Sequence, residues 1–229
     1  MILSGKIKFN GVDFMRKLLP VIFTVTLSFI ILSGELFAAI VSKSGRARPD
    51  TIIGREIPLP VFTAFHNGEI KDINLRDYRG RWIILFFYPA DFTFVCPTEL
   101  KELADYYPDF TEAGAEVFAI STDSAYVHRA WQKDTPQLKN VKYPMLSDRS
   151  GAFSRSLGVY ESSTGTAIRA SFIVDPDGLI VAADYSHDSI GRNSGELLRK
   201  LDAAIAVRKG GGGVCPAGWT EGKELIKEK

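Results

Sequence analysis

Residues 83–99 have the sequence Ile-Ile-Leu-Phe-Phe-Tyr-Pro-Ala-Asp-Phe-Thr-Phe-Val-Cys-Pro-Thr-Glu, and this stretch decides the fold. Ile83–Tyr88 is apolar on both faces, which predicts a central strand that is covered on each side. A loop then leads to Cys96 and Pro97. Proline suits the first turn of a helix, because its missing N–H costs nothing there. The stretch therefore predicts a buried strand, a loop and a helix that starts near Cys96.

Three more short apolar runs have the length and composition of strands. These runs are Val117–Ser121, Ser171–Asp175 and Leu179–Asp184. The last two are separated by Pro176-Asp177-Gly178, whose residues favour a tight turn. We therefore expect these two strands to form a hairpin.

Segments outside the predicted strands show the periodicity of helices. After Cys96, apolar residues recur at helical spacing until Pro108 interrupts them: Leu100, Leu103, Ala104 and Tyr107. Near the other end of the chain, Asn193 and Glu196 resemble a capping box that opens a helix. The predicted buried stripe of that helix is Leu197, Leu198, Leu201, Ala204 and Ile205. Strands that alternate with helices indicate an α/β fold with helices packed against a central sheet.

The composition limits the possible functions. A chain of 229 residues with 45% hydrophobic residues suits one domain, or one domain with an appendage. Lys and Arg number 28 against 27 Asp and Glu, so the net charge of +1 disfavours a nucleic-acid-binding protein. Two cysteines, Cys96 and Cys215, with three histidines show no zinc-ligand spacing and are too few for a disulfide framework. We therefore expect no metal.

The amino-terminal segment has the pattern of an export signal. Leu18–Leu32 carries no charge and follows Arg16 and Lys17, and Ala38 supplies a small residue at a cleavage site. We expect residues 1–38 to be a signal peptide, followed by a linker over residues 39–50, in an exported protein of the periplasm or another extracytoplasmic space. The alternatives are an uncleaved membrane anchor, and a cytoplasmic protein if the segment is not a functional signal. The first fourteen residues are unusual for a signal, and one interpretation is that translation starts at Met15.

Cys96 occupies the position with the clearest chemistry. It follows a central strand and opens a helix, where unpaired backbone N–H groups and the positive end of the helix dipole favour a thiolate. Free cysteines, however, most often behave as small buried apolar residues. Position alone leaves both interpretations open.

The sequence around Cys96 resembles the active-site motif of peroxiredoxins, Pro-x-x-x-Thr/Ser-x-x-Cys, with Pro89, Thr93 and Cys96 at its fixed positions. The tail Val214-Cys215-Pro216-Ala217-Gly218-Trp219 resembles the typical two-cysteine branch, which includes the alkyl hydroperoxide reductase C proteins. The resemblance implies a thioredoxin-like α/β fold over residues 51–208, with a central mixed sheet flanked by helices. Residues 209–229, which begin with a run of glycines, then form a carboxy-terminal arm that carries a resolving cysteine.

The resemblance implies an antioxidant thiol peroxidase that reduces hydrogen peroxide and organic hydroperoxides to water and alcohols. Cys96 would be the peroxidatic nucleophile that becomes a sulfenic acid. Arg169 would provide the cation beside the sulfur, Thr93 would orient the peroxide, and Pro89 would shield the sulfur from water.

The same resemblance gives supporting roles to Glu99, which would position arginine, and to Arg192 as a second arginine. Without it, both would be interpreted as solvated surface charges. Cys215 would resolve the sulfenic acid of the other subunit, forming a disulfide across a homodimer and, by family resemblance, within a decamer of five dimers. The separation of 119 positions between the cysteines also permits a bridge within one chain, or a purely structural disulfide. A separate dithiol protein would reduce the bridge, and no cofactor is expected.

Two departures from overoxidation-sensitive relatives are visible. In place of a Gly-Gly-Leu-Gly insertion the chain has Thr135–Asn140, and no Tyr-Phe pair follows Cys215. We therefore expect easy local unfolding around Cys96. A thioredoxin-type oxidoreductase or a copper-delivery protein is disfavoured, because the chain lacks Cys-x-x-Cys and Cys-x-x-x-Cys. The alternative function is an oligomeric holdase chaperone or redox-signalling scaffold of the same fold.

Overall fold

The structure is a computed structural model that describes residues 51–227, so the predicted signal peptide and linker lie outside the described residues. In chain order the strands are β1 (Val61–His66), β2 (Glu69–Asn74), β3 (Trp82–Phe87), β4 (Ala115–Ser121), β5 (Met145–Ser147), β6 (Tyr160–Glu161), β7 (Thr166–Ala167), β8 (Arg169–Val174), β9 (Ile180–Ser186), β10 (Gly213–Val214) and β11 (Ile226–Lys227). The α-helices are α1 (Cys96–Asp105), α2 (Tyr107–Glu112), α3 (Ala125–Asp134), α4 (Ala152–Ser156) and α5 (Ser194–Lys209), and two 3₁₀ turns span Leu75–Tyr78 and Pro136–Leu138.

The main sheet is mixed and has seven strands in the order β2-β1-β5-β4-β3-β8-β9. β3 pairs in parallel with β4, and β4 with β5, whereas β8 runs antiparallel to both β3 and β9. β1 and β2 form an antiparallel hairpin at the opposite edge. The predicted central strand and the predicted hairpin on Pro176-Asp177-Gly178 are both confirmed.

Strand β3 lies inside the sheet and is buried on both faces. All six of its residues are buried, and they alternate between two hydrophobic clusters. Ile84 and Phe86 join the cluster that contains apolar residues of α1, α2, α3 and α5, whereas Leu85 and Phe87 join the cluster that contains Phe153 of α4. Because successive strand side chains point to opposite faces, a strand in this position must be apolar throughout.

The first predicted helix differs from expectation at its end. Helix α1 begins at Cys96, as predicted, but it stops at Asp105, and Tyr107 belongs to α2. Pro108 lies in the first turn of α2, where a proline has no intrahelical hydrogen bond to lose. The proline thus helps to open a second helix instead of interrupting the first.

Helix α5 begins after Asn193, whose side chain accepts a hydrogen bond from the backbone N–H of Glu196 at 2.7 Å. Leu197 and Leu201 are buried on its inner face. After α5 the glycine-rich segment turns back, since β10 pairs with β11, and Trp219 is only 3% exposed. The described part of the arm is therefore packed against the domain.

Candidate active site

Cys96 lies where the loop after β3 meets the first turn of α1. Its side chain is fully buried, with 0% exposure. Pro97 stands beside it in the first turn, and the backbone N–H groups of Thr98 and Glu99 both point to the carbonyl of Val95. The sulfur therefore sits at the positive end of a ten-residue helix, at the carboxyl end of a central strand.

Sheet register brings Arg169 to this sulfur. Phe87, the last residue of β3, pairs with Ala170, so Arg169 at the start of β8 lies beside the loop that leads to Cys96. Nη1 of Arg169 donates to the Sγ of Cys96 at 3.3 Å and to Oε2 of Glu99 at 2.6 Å. Its Nε donates to the carbonyl of Asp188 at 2.8 Å, which fixes the guanidinium plane.

Glu99 is shared between two arginines. Its side chain is 2% exposed and also accepts hydrogen bonds from the backbone N–H and the Nε of Arg192, at 2.8 and 2.9 Å. The Arg192 guanidinium in turn donates to the carbonyl of Ala170 and lies over the ring of Phe86, 3.5 Å from the centroid. The cluster is rigid because charged hydrogen bonds hold each member on more than one side.

Burial and charge shift the pKa values of this cluster in opposite directions. Burial alone would raise the pKa of Glu99, but the hydrogen bonds and charges of Arg192 and Arg169 outweigh it and lower that pKa. Burial alone would lower the pKa of Arg169. The hydrogen bonds and the charges of Cys96 and Glu99 outweigh burial and raise that pKa. Burial prevails for Arg192, whose pKa is lowered. Glu99 is consequently an anion held between two guanidinium groups.

Thr93 and Pro89 lie in the loop before Cys96, and both are partly buried. The hydroxyl of Thr93 donates to the carbonyl of Ala90 at 3.0 Å, so its oxygen lone pairs are turned away from that bond. The structure thus joins Cys96, Glu99, Arg169 and Arg192 by direct hydrogen bonds and places Thr93 and Pro89 in the adjoining loop.

The side chains that anchor this loop were not predicted from the sequence. Asp91 accepts from Tyr88 at 2.7 Å and contacts Nδ1 of His128 at 2.8 Å, and its backbone N–H donates to Asp123 at 2.9 Å. The Asp91 and His128 side chains are almost fully buried. Burial raises the pKa of Asp91, although His128 and the hydrogen bond from Tyr88 act in the opposite direction. The only local signal was the position of Asp91 inside the motif stretch, because His128 and Asp123 are distant in sequence.

Cys215 lies away from this cluster, on the segment that follows α5. Its Sγ donates to the carbonyl of Ala203 at 3.5 Å, and both cysteines of the single chain are free thiols. Within residues 51–227 no group of His, Cys, Asp and Glu is placed to hold a metal ion. None of the helices described in that range has the length and apolar content to cross a bilayer.

A reduced cysteine beside fixed arginines can act as a nucleophile. The chain as a whole is similar to known proteins. Residues 53–183 match the model of the AhpC/TSA family. Alkyl hydroperoxide reductase C of Escherichia coli (strain K12) is 46% identical over 163 residues, which cover 71% of this chain and 87% of the relative. The protein of the same name from Bacillus subtilis (strain 168) is 42% identical over 176 residues, covering 77% and 94%.

Solved structures agree with the sequence relatives. Enterococcus faecalis AhpC superposes with a TM-score of 0.70 at 43% identity, covering 72% of this chain and 99% of that one. The reduced 2-Cys peroxiredoxin of Plasmodium vivax gives a TM-score of 0.72 at 35% identity, covering 76% and 92%. The predicted thioredoxin-like fold is thereby confirmed, and the chain belongs to the AhpC/TSA family of peroxiredoxins.

Proposed function

We propose that this chain is a thiol peroxidase that reduces hydrogen peroxide and organic hydroperoxides at Cys96. The observation that carries the proposal is the 3.3 Å contact between Nη1 of Arg169 and the Cys96 sulfur at the start of α1. One carboxylate, Glu99, faces two guanidinium groups in this buried cluster. An ionised Cys96 sulfur would balance the remaining positive charge, and the thiolate is the reactive form of cysteine.

The chemical step is a nucleophilic displacement on oxygen. The Cys96 thiolate attacks the terminal oxygen of the hydroperoxide, an S–O bond forms, and the O–O bond breaks. The leaving alkoxide or hydroxide takes up a proton and departs as alcohol or water, and the sulfur becomes a sulfenic acid. Arg169, held in place by Glu99 and the Asp188 carbonyl, stabilises the negative charge that moves onto the leaving oxygen.

Thr93 orients the peroxide in this scheme. Its hydroxyl proton is already given to the Ala90 carbonyl, so the oxygen accepts a hydrogen bond from the O–H of the substrate. Pro89 stands at the start of the same loop and limits the access of water to the sulfur. Glu99 and Arg192 are positioning residues that keep Arg169 in place.

Cys215 completes the cycle. Its thiol condenses with the sulfenic acid of Cys96, so that an S–S bond forms and water leaves. We place this disulfide between the two subunits of a homodimer, and a decamer is the larger assembly that follows from the family. A separate dithiol protein then reduces the disulfide and is itself oxidised.

The peroxidase proposal is tested by peroxide consumption with dithiothreitol as the reductant. The unmodified protein should consume hydrogen peroxide, Cys96→Ser should not, and Cys215→Ser should remain active because dithiothreitol can reduce the sulfenic acid directly. A Cys96→Ser variant that keeps consuming peroxide overturns the proposal. If that variant instead suppresses the aggregation of a denatured client as well as the unmodified protein does, a holdase function exists that does not need Cys96.

We also propose that the protein is exported by residues 1–38. Support comes from the uncharged run Leu18–Leu32 behind Arg16 and Lys17. Sequencing of the mature amino terminus after cell fractionation should find Ala39 in the extracytoplasmic fraction. An intact Met1 or Met15 in the soluble cytosol contradicts export.

A further inference from the structure

Glu196, the residue of the predicted capping box, has a second partner on α5. Its backbone N–H is capped by Asn193, while its two carboxylate oxygens bind Arg199. Oε2 accepts from the Nε of Arg199 at 2.6 Å, and Oε1 accepts from Nη2 at 2.8 Å. This two-point geometry fixes the plane of the guanidinium and therefore the direction of its remaining N–H groups.

Arg199 uses a third nitrogen to hold the arm. Its Nη1 donates to the backbone carbonyl of Trp219 at 2.8 Å. The Trp219 side chain is 3% exposed, and its indole N–H donates to the carbonyl of Lys223 at 2.9 Å. Its backbone N–H closes a turn onto the carbonyl of Pro216, the residue after Cys215. One arginine of α5 thus fixes a compact turn that begins next to Cys215.

Cys215 also contacts α5. Its Sγ lies 3.5 Å from the carbonyl oxygen of Ala203, one turn of helix beyond Arg199. The hydrogen bonds and the charge of Glu196 raise the pKa of Arg199, so this side chain is a cation. Arg199 therefore holds the turn that directly follows the second thiol of the cycle.

Like charges oppose the packing of the arm at one place. A cavity of about 610 Å³ lies between α2, α5 and the Trp219 turn. Asp202 of α5 faces this cavity together with Asp109 of α2 and Glu221 of the arm, and Lys209 also lines it. Burial raises the pKa of Asp202, and the charges of Glu221 and Asp109 raise it further. Repulsion between these carboxylates opposes docking, so the burial of Trp219 and its bond to Arg199 must outweigh it.

We propose that Arg199 is a positioning residue that latches the Cys215 segment to α5 in the reduced enzyme and thereby limits the rate of disulfide formation. This inference rests on the proposed peroxidase function. Cys96 is fully buried beside Arg169, and the Cys215 sulfur is bound to a carbonyl of α5. A disulfide forms only after the Cys215 sulfur leaves that carbonyl, and the bond between Arg199 and Trp219 restrains the turn that adjoins it.

The first test measures how accessible Cys215 is in the reduced protein. In a Cys96→Ser background, the rate of Cys215 alkylation by iodoacetamide should rise about three- to tenfold in Arg199→Gln, the range expected for loss of one charge-assisted hydrogen bond near the surface. Lys200→Gln is the matched control, because Lys200 reaches the same Glu196 at 3.9 Å. Its rate should not change. Glu196→Gln should give a smaller rise than Arg199→Gln, because it loosens the guanidinium without removing it.

The second test follows resolution itself in protein that retains both cysteines. After a single peroxide pulse, rapid quenching and mass spectrometry separate formation of the sulfenic acid from its conversion to disulfide. Arg199→Gln should leave the first step unchanged and accelerate the second about three- to tenfold, with Arg199→Lys between it and the unmodified enzyme. Equal resolution rates in Arg199→Gln and Lys200→Gln, or slower resolution in Arg199→Gln, overturn the latch. Absence of the first step in the unmodified protein overturns the peroxidase function instead.

Discussion

Arg169 and Cys96 are separated by 73 positions in the sequence, yet Nη1 of Arg169 donates to the Cys96 sulfur at 3.3 Å. The antiparallel pairing of β8 with β3 produces this contact, because it sets Arg169 beside the end of the central strand. Glu99, one helical turn after Cys96, binds the same nitrogen at 2.6 Å. Strand β8 therefore fixes the position of Arg169 and helix α1 fixes that of Cys96, independently of the loop between β3 and α1.

Removal of the cation should slow the reaction with peroxide. Arg169→Gln removes the charge and shortens the side chain, so the preorganised donor beside the sulfur is lost and the rate of sulfenic acid formation should fall by about a hundredfold. Stopped-flow measurement of a single turnover reports this rate. Arg208→Gln is a suitable control, because Arg208 pairs with Asp177 on the surface. An Arg169→Gln protein as fast as that control contradicts the assignment.

Thr93 offers a separate test of substrate orientation. Thr93→Val removes the hydroxyl and with it the bond to the Ala90 carbonyl, so peroxide reduction should slow by about tenfold to a hundredfold. Thr93→Ser keeps the hydroxyl and should recover most of the rate. If both variants react equally fast, or if serine fails to rescue, the hydroxyl does not orient the peroxide.

Glu99 should matter for stability as well as for activity. Glu99→Gln leaves two buried guanidinium groups with a neutral partner, and the free energy of unfolding at neutral pH should fall by about 3 to 5 kcal/mol. The folded-state pKa of Glu99 lies below its ordinary value of 4.5, so its contribution is fully present above pH 4.5 and is lost as the pH falls through the lower, folded value. Urea unfolding should therefore show the gap between the two proteins narrowing in acid. A gap that stays constant or widens there contradicts the ion-pair account.

The enzyme should resist overoxidation. Residues 135–140 contain only the short turn Pro136–Leu138, and between Cys215 and Lys227 the described chain forms the strand Ile226–Lys227 and no helix. Apart from the proposed Arg199 latch, local unfolding then meets few obstacles in these segments, and disulfide formation should still outrun sulfinic acid formation. Mass spectrometry after cycling with a reductant and millimolar peroxide should find little sulfinic acid. Cys215→Ser, which cannot resolve, should accumulate it under the same conditions, and rapid accumulation in the unmodified protein contradicts the prediction.

The parts of the fold predicted from sequence were those with local signals. The apolar run at β3, the turn Pro176-Asp177-Gly178 and the start of α1 beside Pro97 each follow from a few adjacent residues. The hairpin of β1 and β2 was not predicted, although it also has a local signal. Asn67 and Gly68 join the two strands with φ values of 52° and 85°. An Asn-Gly pair is favoured in hairpin turns of this kind.

The site depended on contacts that spacing does not reveal. Without the family resemblance Glu99 and Arg192 would be interpreted as surface charges, and the resemblance was also needed to connect Arg169 with Cys96. Asp91 and His128 form a buried pair although they are 37 positions apart in the sequence. Neither the strand pattern nor the helix pattern of the sequence indicates this contact. The packing of the arm likewise depends on Arg199 meeting a backbone carbonyl, which any residue type could supply.

The most direct measurement follows the Cys96 sulfur through one turnover. Fully reduced protein is mixed with one equivalent of hydrogen peroxide, quenched over a time course, and analysed by peptide mass spectrometry and by gel electrophoresis without reductant. The account predicts that one oxygen atom is first added to Cys96, followed by a Cys96–Cys215 disulfide that joins two chains. Peroxide that persists while Cys96 remains a thiol, or oxygen that appears first on another residue, contradicts the account.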